Sequence, residues 1–579
     1  MQIQVESEEN SEASNTDSDD TVPQGHRPAR TRVQPAWMRS GSFLVGDELY
    51  EHSELAMSEE SVGAEPKTVQ EALRSPQAKL WQDAMEAEYD SLMKNGVFKL
   101  VKLPNGRDVL DNKWVFKIKH NSDGSIQRYK ARLVARGFSQ QPDVDFTETY
   151  SPVTRLTSVR AILAIANQLD MDIHQMDVQT AFLNGNLDQD IYMKQPTGFV
   201  QKGKEYLVCK LEKGLYGLKQ SARCWYQMLN DYLQNMGYQQ CPSDPCVYWK
   251  RDGSGLIILA IHVDDLIIAA NNPQMLQHEK EAFSRKFAMH DLGEAHFVLG
   301  MKIIRDRPNR KLWLTQTKYL SEMTEKFGMK DCKPVATPQE VGQCLEKNEG
   351  IPIKMKEYQA LIGSLTYAAM STRPDIAKAL GVVNQFASNP SEIHWTAAKR
   401  ILRYLKGTSD YGICFDGNQD SEIKLSGFVD ADWGGDAETR RSQSGYVFRL
   451  CGGPVSWVSK KQAVVALSTT EAEYIAASFA TQELMWFRKL LEELGYRQES
   501  ATVLHEDNMG AIEVSRNPKY HGRMKHIDIR HHFLRDAVEA GTLTLQYCPT
   551  NDQLADIMTK ALPRHKFETF RKELGVQKL

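Results

Sequence analysis

Apolar residues fill the segment Leu256–Ala270, "LIILAIHVDDLIIAA", except at its centre. Apolar runs this short are typical of buried strands, because a membrane-spanning helix needs about 20 uninterrupted apolar residues. The pattern therefore predicts two buried strands joined by a tight turn at Asp264 and Asp265, since aspartate is favoured in turns. Two carboxylates at one point repel each other, and a divalent cation would offset that repulsion. An ordinary turn and a metal site both stay open here, and the metal site requires a third carboxylate from elsewhere.

Hydrophobic periodicity predicts further elements before this hairpin. The text "VQEALRSPQAKLWQDAMEAEYDSL" predicts one amphipathic helix that starts near Pro66. Its apolar residues recur at near-helical spacing: Leu73, Leu80, Trp81, Met85 and Leu92. The text "HQMDVQTAFLNG" predicts a strand that ends near Asp177, followed by a helix. A lone aspartate at a strand end is commonly a helix cap or turn residue, but Asp177 is also a candidate for the third carboxylate.

Two β-rich runs flank "NSDGS" (121–125) and predict a basic hairpin. The stretch from Lys113 to Arg136 carries seven lysines and arginines and one aspartate. A solvated edge ribbon uses lysines in this way to block aggregation. A flexible basic hairpin that closes on phosphates has the same composition. The residues alone leave both interpretations open.

A further series of predicted strands and helices begins at about Lys424. "LSGFVDADWGGD" predicts a strand, "STTEAEYIAASFATQELMWFRKLLEEL" a capped long helix, and "TVLHEDNMGAIEV" a strand leading into a helix. "NDQLADIMTKAL" predicts a short helix near the end. Four acidic residues recur at strand or helix starts, where each alone reads as a cap or a solvated charge: Asp430, Glu473, Asp507 and Asp556.

Length and charge add limits to this picture. At 579 residues the chain is too long for one core, so three or four domains are expected. Residues 1–66 hold 14 acidic and 4 basic residues, so the net charge of −4 leaves about +6 for the remainder. The acidic, serine-rich stretch 1–65 is expected to be disordered. Nine cysteines without a close CxxC pair indicate free thiols in a reducing compartment and no zinc knuckle. No signal peptide or transmembrane segment is evident.

Five segments in order resemble the reverse transcriptase of copia-type LTR retrotransposons: "KARLVARGFSQ", "MDVQTAFLNG", "LYGLKQSARCWY", "HVDDLII" and "FVLGMKI". The resemblance implies an α+β multidomain protein, a right-hand polymerase with fingers, palm and thumb, followed by an RNase H-like α/β domain. It implies a tail or linker at 1–65, fingers and palm at 66–310, a mostly helical thumb and connection at 311–423, and the RNase H-like domain at 424–579. The acidic tail resembles the end of an integrase and its linker, so the chain is expected to be the C-terminal part of a larger polyprotein.

The resemblance also implies a polymerase site. Asp177, Asp264 and Asp265 would hold two Mg²⁺ ions about 3.5–4 Å apart, with Mn²⁺ as an alternative. The backbone carbonyl of Val178 would offer a further ligand, and Asp265 is expected to support the site rather than ligate continuously. Phe182 resembles the steric gate that excludes a 2′-OH.

Other positions resemble the family's substrate contacts. The implied triphosphate contacts are Lys119, Lys130 and Arg132, the templating loop holds Gly217 and Lys219, and the primer grip holds Leu299 and Gly300. His262 departs from the family, which usually has tyrosine two residues before Asp264. On the predicted connection, three residues are candidates for contact with a duplex backbone, with a solvated helix face equally open: Trp395, Arg400 and Lys406.

In the second half, the order Asp430, Glu473, Asp507, Asp556 resembles the D-E-D-D set of ribonuclease H, again with two metal ions. Glu473 is chosen over Glu471 because "EYIAASFA" places small and apolar residues at the offsets with which that helix faces its sheet. The histidine-rich run "KHIDIRHHFLRD" is typical of the same region. A zinc site from His526, His531 and His532 is rejected on ligand count, since no cysteine lies nearby.

The resemblance implies an RNA- and DNA-templated DNA polymerase with RNase H cleavage of RNA in RNA–DNA hybrids, serving retrotransposon replication. The implied partners are an RNA template, a DNA primer, the RNA–DNA hybrid, dNTPs and other products of the polyprotein, with no membrane. The expected location is a cytoplasmic virus-like particle, with nuclear entry of the replication complex as an option. A catalytically silent relic or a co-opted nucleic-acid-binding protein is the alternative, and a structural particle component is a weaker one.

Overall fold

The structure, a computed structural model, describes residues 65–120, 125–419, 422–516 and 529–579. The tail predicted to be disordered lies outside these ranges up to residue 64. His526 and the side chains of His531 and His532, which the rejected zinc site would use, also lie outside the described residues. Within the described ranges, helices and strands both contribute, as the predicted α+β class requires. No helix in these ranges combines the length and the apolar character that crossing a membrane demands.

The helices are numbered in chain order. They are α1 Val69–Arg74, α2 Ala78–Lys94, α3 Leu156–Gln168, α4 Ser221–Asn235, α5 Pro273–Lys286, α6 Thr317–Lys326, α7 Met355–Ser371, α8 Ala377–Asn384, α9 Glu392–Gly407, α10 Thr469–Glu493, α11 Met509–Arg516, α12 Ile529–Glu539, α13 Asp556–Thr559 and α14 Arg564–Glu573. Short 3₁₀ turns occupy Gly137–Ser139, Ala181–Asn184 and Pro374–Ile376.

The strands follow the same convention. They are β1 Phe98–Val101, β2 Asn112–His120, β3 Ile126–Ala135, β4 Asp172–Val178, β5 Asn186–Met193, β6 Val208–Lys213, β7 Gln239–Cys241, β8 Asp244–Asp252, β9 Gly255–His262, β10 Asp265–Ala270, β11 Met289–Glu294, β12 Phe297–Val298, β13 Met301–Asp306, β14 Lys311–Thr315, β15 Tyr411–Asp416, β16 Ser426–Asp432, β17 Gln443–Leu450, β18 Gly453–Lys461, β19 Thr502–Glu506, β20 Leu543–Tyr547 and β21 Val576–Lys578.

The prediction of one continuous first helix is wrong, because the structure has two helices in this segment, α1 and α2. Ser75 has extended backbone (φ −75°, ψ 158°) between α1 and α2. Pro76 explains the break, since proline lacks an N–H and disfavours helical backbone at the residue before it. Leu73 and Leu80, predicted on the apolar face, are 48% and 47% exposed. The predicted positions Trp81, Met85 and Leu92 are confirmed as buried on α2, together with Glu88.

The six-stranded sheet with order β11-β4-β10-β9-β8-β7 contains the predicted buried hairpin. Strands β9 and β10 pair antiparallel, with Asp265 opposite His262. Strand β4 pairs antiparallel with β10 on the other side. The basic hairpin is confirmed as the antiparallel pair β2–β3, and "FVLGMKII" is confirmed as the short pair β12–β13.

A second sheet, with order β12-β13-β14-β15-β21, crosses the boundaries predicted at residues 310 and 423. The first boundary falls in the turn between β13 and β14, which pair antiparallel. The last strand of the chain, β21, returns to pair with β15. The predicted division into domains therefore does not separate independent sheets at these two points.

The C-terminal region forms a five-stranded mixed sheet with order β18-β17-β16-β19-β20. Strands β16 and β17 are antiparallel, whereas β16, β19 and β20 are parallel. The long helix α10 begins after the cap residue Ser468, as predicted.

The C-terminal sheet is fixed to the six-stranded sheet. The backbone N–H and hydroxyl of Ser243 donate to the carboxylate of Glu493, at 3.1 and 2.9 Å. The indole of Trp486 donates to the Ser243 carbonyl, 2.8 Å away. One apolar core joins both sheets, because it includes Ile258 on β9 and Val429 on β16.

Candidate active sites

Asp177 and Asp264 lie at the same end of the six-stranded sheet. Asp177 is the cross-strand partner of Asp265, the first residue of β10. Asp264 occupies the β9–β10 turn, where its backbone carbonyl accepts a hydrogen bond from the Val178 N–H, 2.9 Å away. The backbone thus ties the end of β4 to the turn, and the predicted pairing of distant aspartates is observed for Asp177 and Asp264.

The turn that carries Asp264 has strained backbone and a specific support. Val263 has φ +57°, in the left-handed region that a β-branched residue rarely adopts. The indole Nε1 of the buried Trp225, on α4, donates to the Val263 carbonyl, 2.6 Å away. The sequence analysis did not identify Trp225 as a functional residue. The available signal was an indole on the apolar face of a helix, which required a partner for its N–H.

The electrostatics of this end favour a bound cation. Burial, followed by the nearby negative charge of Asp177, raises the pKa of Asp264, and the positive charges of Arg132 and Lys130 oppose this rise. The basic hairpin β2–β3 therefore lies within electrostatic reach of the turn. A divalent cation would relieve both the desolvation and the repulsion of the two carboxylates.

Asp265 does not complete a three-carboxylate group. Its carboxylate accepts a hydrogen bond from Gln175 Nε2, 3.0 Å away. Among the described residues, the group of acidic side chains close enough to share one ion is in the C-terminal sheet and includes none of these aspartates. The role of Asp177, Asp264 and Asp265 as metal ligands stays a prediction, and the bond from Gln175 agrees with the supporting role expected for Asp265.

Phe182 packs in a stack of three side chains beside this site. Its ring meets the ring of Tyr216 edge-on, with centroids 5.1 Å apart. The guanidinium of Arg132 lies 4.6 Å from the centroid of the same tyrosine. Asp264 and Asp177 both act electrostatically on Tyr216. The predicted gate and one predicted triphosphate contact are therefore joined by Tyr216, a residue that the sequence analysis missed.

The hairpin β2–β3 presents a cationic face. Lys130 pairs with Lys117, and Arg128 pairs with Lys119, so these side chains share one face with Arg132. The opposite face is apolar and buried, with Phe116 and Leu133 in the core. Burial, then the charges of the neighbouring cations, lowers the pKa of Lys130. A crowded cationic face of this kind gains from a polyanionic ligand.

The space beside Gly217 is filled by the chain itself. Gly217 has φ +88°, and a Cβ there would lie 2.2 Å from the Ala135 carbonyl oxygen. The missing side chain admits strand β3 rather than nucleic acid. The ammonium of Lys219 lies 3.3 Å from the Gln140 carbonyl and 4.5 Å from the centroid of the Phe146 ring.

Leu299 and Gly300 form the turn between β12 and β13. Leu299 has φ +47°, and its side chain is buried in the core. Its carbonyl accepts a hydrogen bond from the Tyr367 hydroxyl, 2.6 Å away, and a Cβ at Gly300 would lie 2.2 Å from that hydroxyl oxygen. The primer grip stays a prediction, and the leucine side chain is buried in the core rather than exposed for such a contact.

His262 lies at the end of β9, two residues before Asp264. Burial lowers the pKa of His262 to about 4. The imidazole that replaces the family's usual tyrosine is therefore uncharged near pH 7.

Three carboxylates meet in the C-terminal sheet, as predicted. One oxygen each from Asp430 on β16, Glu473 on α10 and Asp507 after β19 lies within 4.8 Å of the others. The carboxylate oxygen Oε2 of Glu473 is buried and has no hydrogen-bond partner among the described residues. Burial, then the charge of Glu506, raises the pKa of Glu473 well above its usual value. A buried carboxylate without a partner is costly, and a divalent cation fits this group.

The choice of Glu473 over Glu471 agrees with this geometry. The backbone N–H of Glu471 donates to the hydroxyl of the cap residue Ser468, 3.2 Å away. Its carboxylate accepts from the Leu467 N–H, 2.8 Å away. Glu471 therefore caps helix α10, and Glu473 lies one half-turn further along, in the acidic group.

Asp556, the fourth predicted ligand, lies outside the group of three carboxylates and contacts two lysines. Its two carboxylate oxygens each accept from a lysine, Lys560 and Lys566, both at 2.6 Å. Lys560 also donates to Asp430, 3.0 Å away. Lys560 thus links Asp556 to Asp430, and the role of Asp556 as the fourth ligand stays a prediction.

The predicted duplex contacts on the connection are occupied by the chain itself. Trp395 is buried in the helical core. The guanidinium of Arg400 bonds Glu340 and Thr337, and the ammonium of Lys406 donates to the Cys332 carbonyl, 2.8 Å away. These side chains fasten α9 to the segment before α7, so their assignment to a duplex is not supported.

Comparison with known proteins agrees with the first half of this arrangement. A family profile described as "Reverse transcriptase (RNA-dependent DNA polymerase)" matches residues 95–341, which include Asp177 and Asp264. The Retrovirus-related Pol polyprotein from transposon TNT 1-94 of Nicotiana tabacum is 46% identical over 521 residues, covering 88% of this chain and 39% of that protein. The Pol polyprotein from transposon RE1 of Arabidopsis thaliana is 40% identical, covering 89% of this chain and 35% of that protein. The chain thus spans little more than a third of these relatives.

A shorter relative is matched over its whole length. The putative transposon Ty5-1 protein of Saccharomyces cerevisiae is 33% identical over 311 residues, which are 53% of this chain and 100% of that protein. Among solved structures, a foamy viral protease-reverse transcriptase in complex with double-stranded DNA overlaps with a TM-score of 0.43 and 13% identity, covering 83% of this chain and 70% of that one.

Proposed function

We infer that this chain, which belongs to the family of copia-type retrotransposon Pol polyproteins, is an RNA- and DNA-templated DNA polymerase that also cleaves RNA in RNA–DNA hybrids. One observation carries the polymerase part of the proposal. Asp177 at the end of β4 and Asp264 in the adjoining β9–β10 turn lie at the same end of a buried sheet, within electrostatic reach of the cationic hairpin β2–β3. A nucleoside triphosphate suits this arrangement, because its phosphates can bind both the cations held by the carboxylates and the cationic face of the hairpin.

The donors at the end of the six-stranded sheet fit Mg²⁺, with Mn²⁺ as the alternative. Asp177, Asp264 and the carbonyl of Val178 would hold it, because Mg²⁺ commonly takes one or two carboxylates and completes its shell with substrate phosphates and water. When bound, the ions activate the primer hydroxyl and neutralise the charge that develops on the phosphates.

The remaining polymerase residues act on the substrate. The cationic face of β2–β3, with Lys119, Lys130 and Arg132, binds the triphosphate and orients it toward Asp264. Phe182 lies under the sugar and excludes a 2′-OH by shape, and Tyr216 supports its ring. Trp225 holds the turn that presents the Asp264 carboxylate.

The C-terminal sheet carries the proposed nuclease. The oxygens of Asp430, Glu473 and Asp507 lie close enough to share a cation. The buried Oε2 of Glu473 has no hydrogen-bond partner among the described residues. Lys560 bonds Asp430 directly and so contributes a positive charge beside the group. The substrate in this proposal is the RNA strand of an RNA–DNA hybrid, which differs from DNA by its 2′-OH.

The proposed partners are an RNA template, a DNA primer, dNTPs and the hybrid that synthesis produces, in a cytoplasmic virus-like particle. Primer extension on an RNA template with Mg²⁺ tests the proposal. We expect labelled primer to lengthen only when dNTPs and Mg²⁺ are both present, and the RNA strand to shorten in the same reaction. No extension by a folded preparation, with either Mg²⁺ or Mn²⁺, would contradict the polymerase assignment.

A further inference from the structure

Glu65, at the start of the first described range, binds the outer edge of strand β2. Its Oε1 accepts a hydrogen bond from the Ile118 N–H, 2.9 Å away. Its Oε2 lies 3.7 Å from the ammonium of Lys117, a residue of the cationic face of the hairpin β2–β3. One carboxylate thus caps the edge of the hairpin and also reaches its cationic face.

The cationic face has little other counter-charge. Its five cations are Lys117, Lys119, Arg128, Lys130 and Arg132. Within the described ranges, the contact of Lys117 with Glu65 is the one ion pair that these five side chains make. Glu88 lies at the opposite edge of the hairpin, where its carboxylate accepts from the Leu133 N–H, 3.3 Å away. Four of the five cations therefore remain available to a further anionic group.

The sequence directly before Glu65 is rich in such groups. Residues 40–65 hold seven acidic side chains and no lysine or arginine, and six of the seven lie in residues 47–60, called the acidic segment here. A cluster of like charges is commonly an interaction segment. The chain from 47 to 64 can extend to about 60 Å, whereas a strand as long as β3 spans about 33 Å. The acidic segment can therefore reach the whole cationic face.

The chain just after Glu65 is held in place, so the tether to the hairpin is short. Pro66 is buried. The backbone N–H of Lys67 donates to the Glu71 carboxylate, 2.8 Å away, and the hydroxyl of Thr68 caps α1 by accepting from the Glu71 N–H. A tether anchored this close to the cationic face keeps the acidic segment at a high local concentration beside it.

We propose that the cationic face of β2–β3 binds the acidic segment 47–60 when no substrate occupies it, and that substrate phosphates displace the segment. The inference rests on the proposed polymerase function for the identity of the competing ligand, whereas the contact itself is independent of that function. A face that is occupied about two-thirds of the time raises the apparent KM for a phosphate ligand about threefold. The acidic segment is thus an intramolecular competitor of the triphosphate.

Carbodiimide cross-linking tests the contact, because this reagent joins a carboxylate only to an amine that touches it. The measurement is peptide mapping by mass spectrometry on the monomeric product of the full chain. Glu65 and Lys117 form the internal positive control. We expect further links from the acidic segment to Lys119 or Lys130. A DNA duplex with a single-stranded overhang should reduce these links about fivefold or more.

Two outcomes of the cross-linking would overturn the proposal. In the first, the chain forms the link between Glu65 and Lys117 but no link from the acidic segment to the cationic face. In the second, the links from the acidic segment persist at full yield when the duplex is saturating.

A pair of full-length variants with equal net charge tests the competition. The segment variant neutralises the acidic segment with Asp47→Asn, Glu48→Gln, Glu51→Gln, Glu54→Gln, Glu59→Gln and Glu60→Gln. The distal control neutralises six acids further from the hairpin in sequence, with Glu6→Gln, Glu8→Gln, Glu9→Gln, Glu12→Gln, Asp17→Asn and Asp19→Asn. Both change the net charge by the same amount, so only the position of the lost charges differs.

Primer extension at low salt should show a KM for dTTP about threefold lower in the segment variant than in the parent, with unchanged kcat. The difference should vanish at about 0.5 M salt, because the charges are then screened over a few ångströms. The distal control should keep the KM of the parent. Equal decreases in both variants, or an unchanged KM in the segment variant, would overturn the proposal.

The outcome is separable from the proposed polymerase function. A parent that extends no primer, but whose cross-links form and are lost on adding the duplex, would reject the polymerase and keep the contact. A parent that extends primers but forms no link beyond Glu65 and Lys117 would keep the polymerase and reject the contact.

Discussion

The indole of Trp225 donates a hydrogen bond to the backbone carbonyl of Val263, and this contact joins helix α4 to the turn that presents Asp264. The two residues are 38 positions apart, and the carbonyl belongs to a residue with left-handed backbone. This hydrogen bond offsets part of the backbone strain at Val263 and fixes the direction of the Asp264 carboxylate.

Replacing Trp225 with phenylalanine should keep most of the packing and remove this hydrogen bond. We expect a loss of about 1 kcal/mol in the free energy of unfolding. The rate of primer extension should fall roughly tenfold, because the Asp264 carboxylate loses its fixed position. Cleavage of hybrid should stay unchanged. Trp249→Phe, a half-buried tryptophan on β8 of the same sheet, is the control, and equal effects of the two variants would reject the special role of Trp225.

Shrinking Phe182 to alanine should let ribonucleotides enter the growing strand more readily, since exclusion by shape depends on a clash with the wrong substrate. Tyr216→Ala should relax selectivity in the same direction, because it removes the ring against which Phe182 packs. Tyr216→Phe keeps that ring and should retain selectivity. The measurement is the ratio of kcat/KM for dNTP and rNTP, and an unchanged ratio in Phe182→Ala would return this residue to ordinary packing.

The two glutamates at the start of α10 should respond differently to the same change. Glu473→Gln should abolish cleavage of hybrid, because it removes one charge from the acidic group. Glu471→Gln should leave cleavage largely intact and cost about 1 kcal/mol of stability, because a neutral amide oxygen accepts the Leu467 N–H less strongly than the carboxylate does. A labelled hybrid followed over time, beside thermal unfolding, checks both, and the opposite order would exchange the roles of the two residues.

His394 should make stability depend on pH. Its Nδ1 accepts from the Ser391 N–H, 2.9 Å away, and its Nε2 lies 2.8 Å from the Glu346 carbonyl, so the neutral ring completes the N-terminal cap of α9. Burial lowers the pKa of His394 below its usual 6.5. The unfolded chain therefore takes up the proton first, and the free energy of unfolding should fall as the pH drops below about 6.5.

His394→Gln tests this pH dependence, because glutamine at the same helix position can also bond the cap backbone without titrating. The decrease in Tm between pH 7.5 and pH 5.5 should be smaller in His394→Gln than in the parent. An identical decrease in both proteins would show that this histidine does not contribute.

Local patterns predicted what depends on neighbours in sequence. The β9–β10 hairpin, the basic hairpin and the capped helix α10 follow from period, turn residues and a serine cap. The break in the first helix could also have been predicted from the sequence, because Pro76 lies inside the predicted helix. The resemblance to a known family supplied Asp177, which no local pattern separates from a helix cap.

The failures concern contacts between distant residues. The lysine contacts of Asp556 were not predicted, because one of the two lysines lies ten positions away on another helix. The bond from Trp225 to Val263 and the orphaned oxygen of Glu473 depend on how the helices and strands pack, which composition and periodicity do not show. The close approach at Gly217 is another contact of this kind, because the neighbouring group is the carbonyl of Ala135 on strand β3.

Two independent cation sites on one chain are the central claim, and a single paired assay tests it most directly. Primer extension on an RNA template and degradation of a labelled hybrid are measured on the same preparations of the parent, Asp264→Asn and Asp507→Asn. We predict that Asp264→Asn loses extension and keeps degradation, and that Asp507→Asn loses degradation and keeps extension, because each change removes one ligand from one site. Extension by Asp264→Asn at the parent rate, or degradation by Asp507→Asn at the parent rate, would contradict the account.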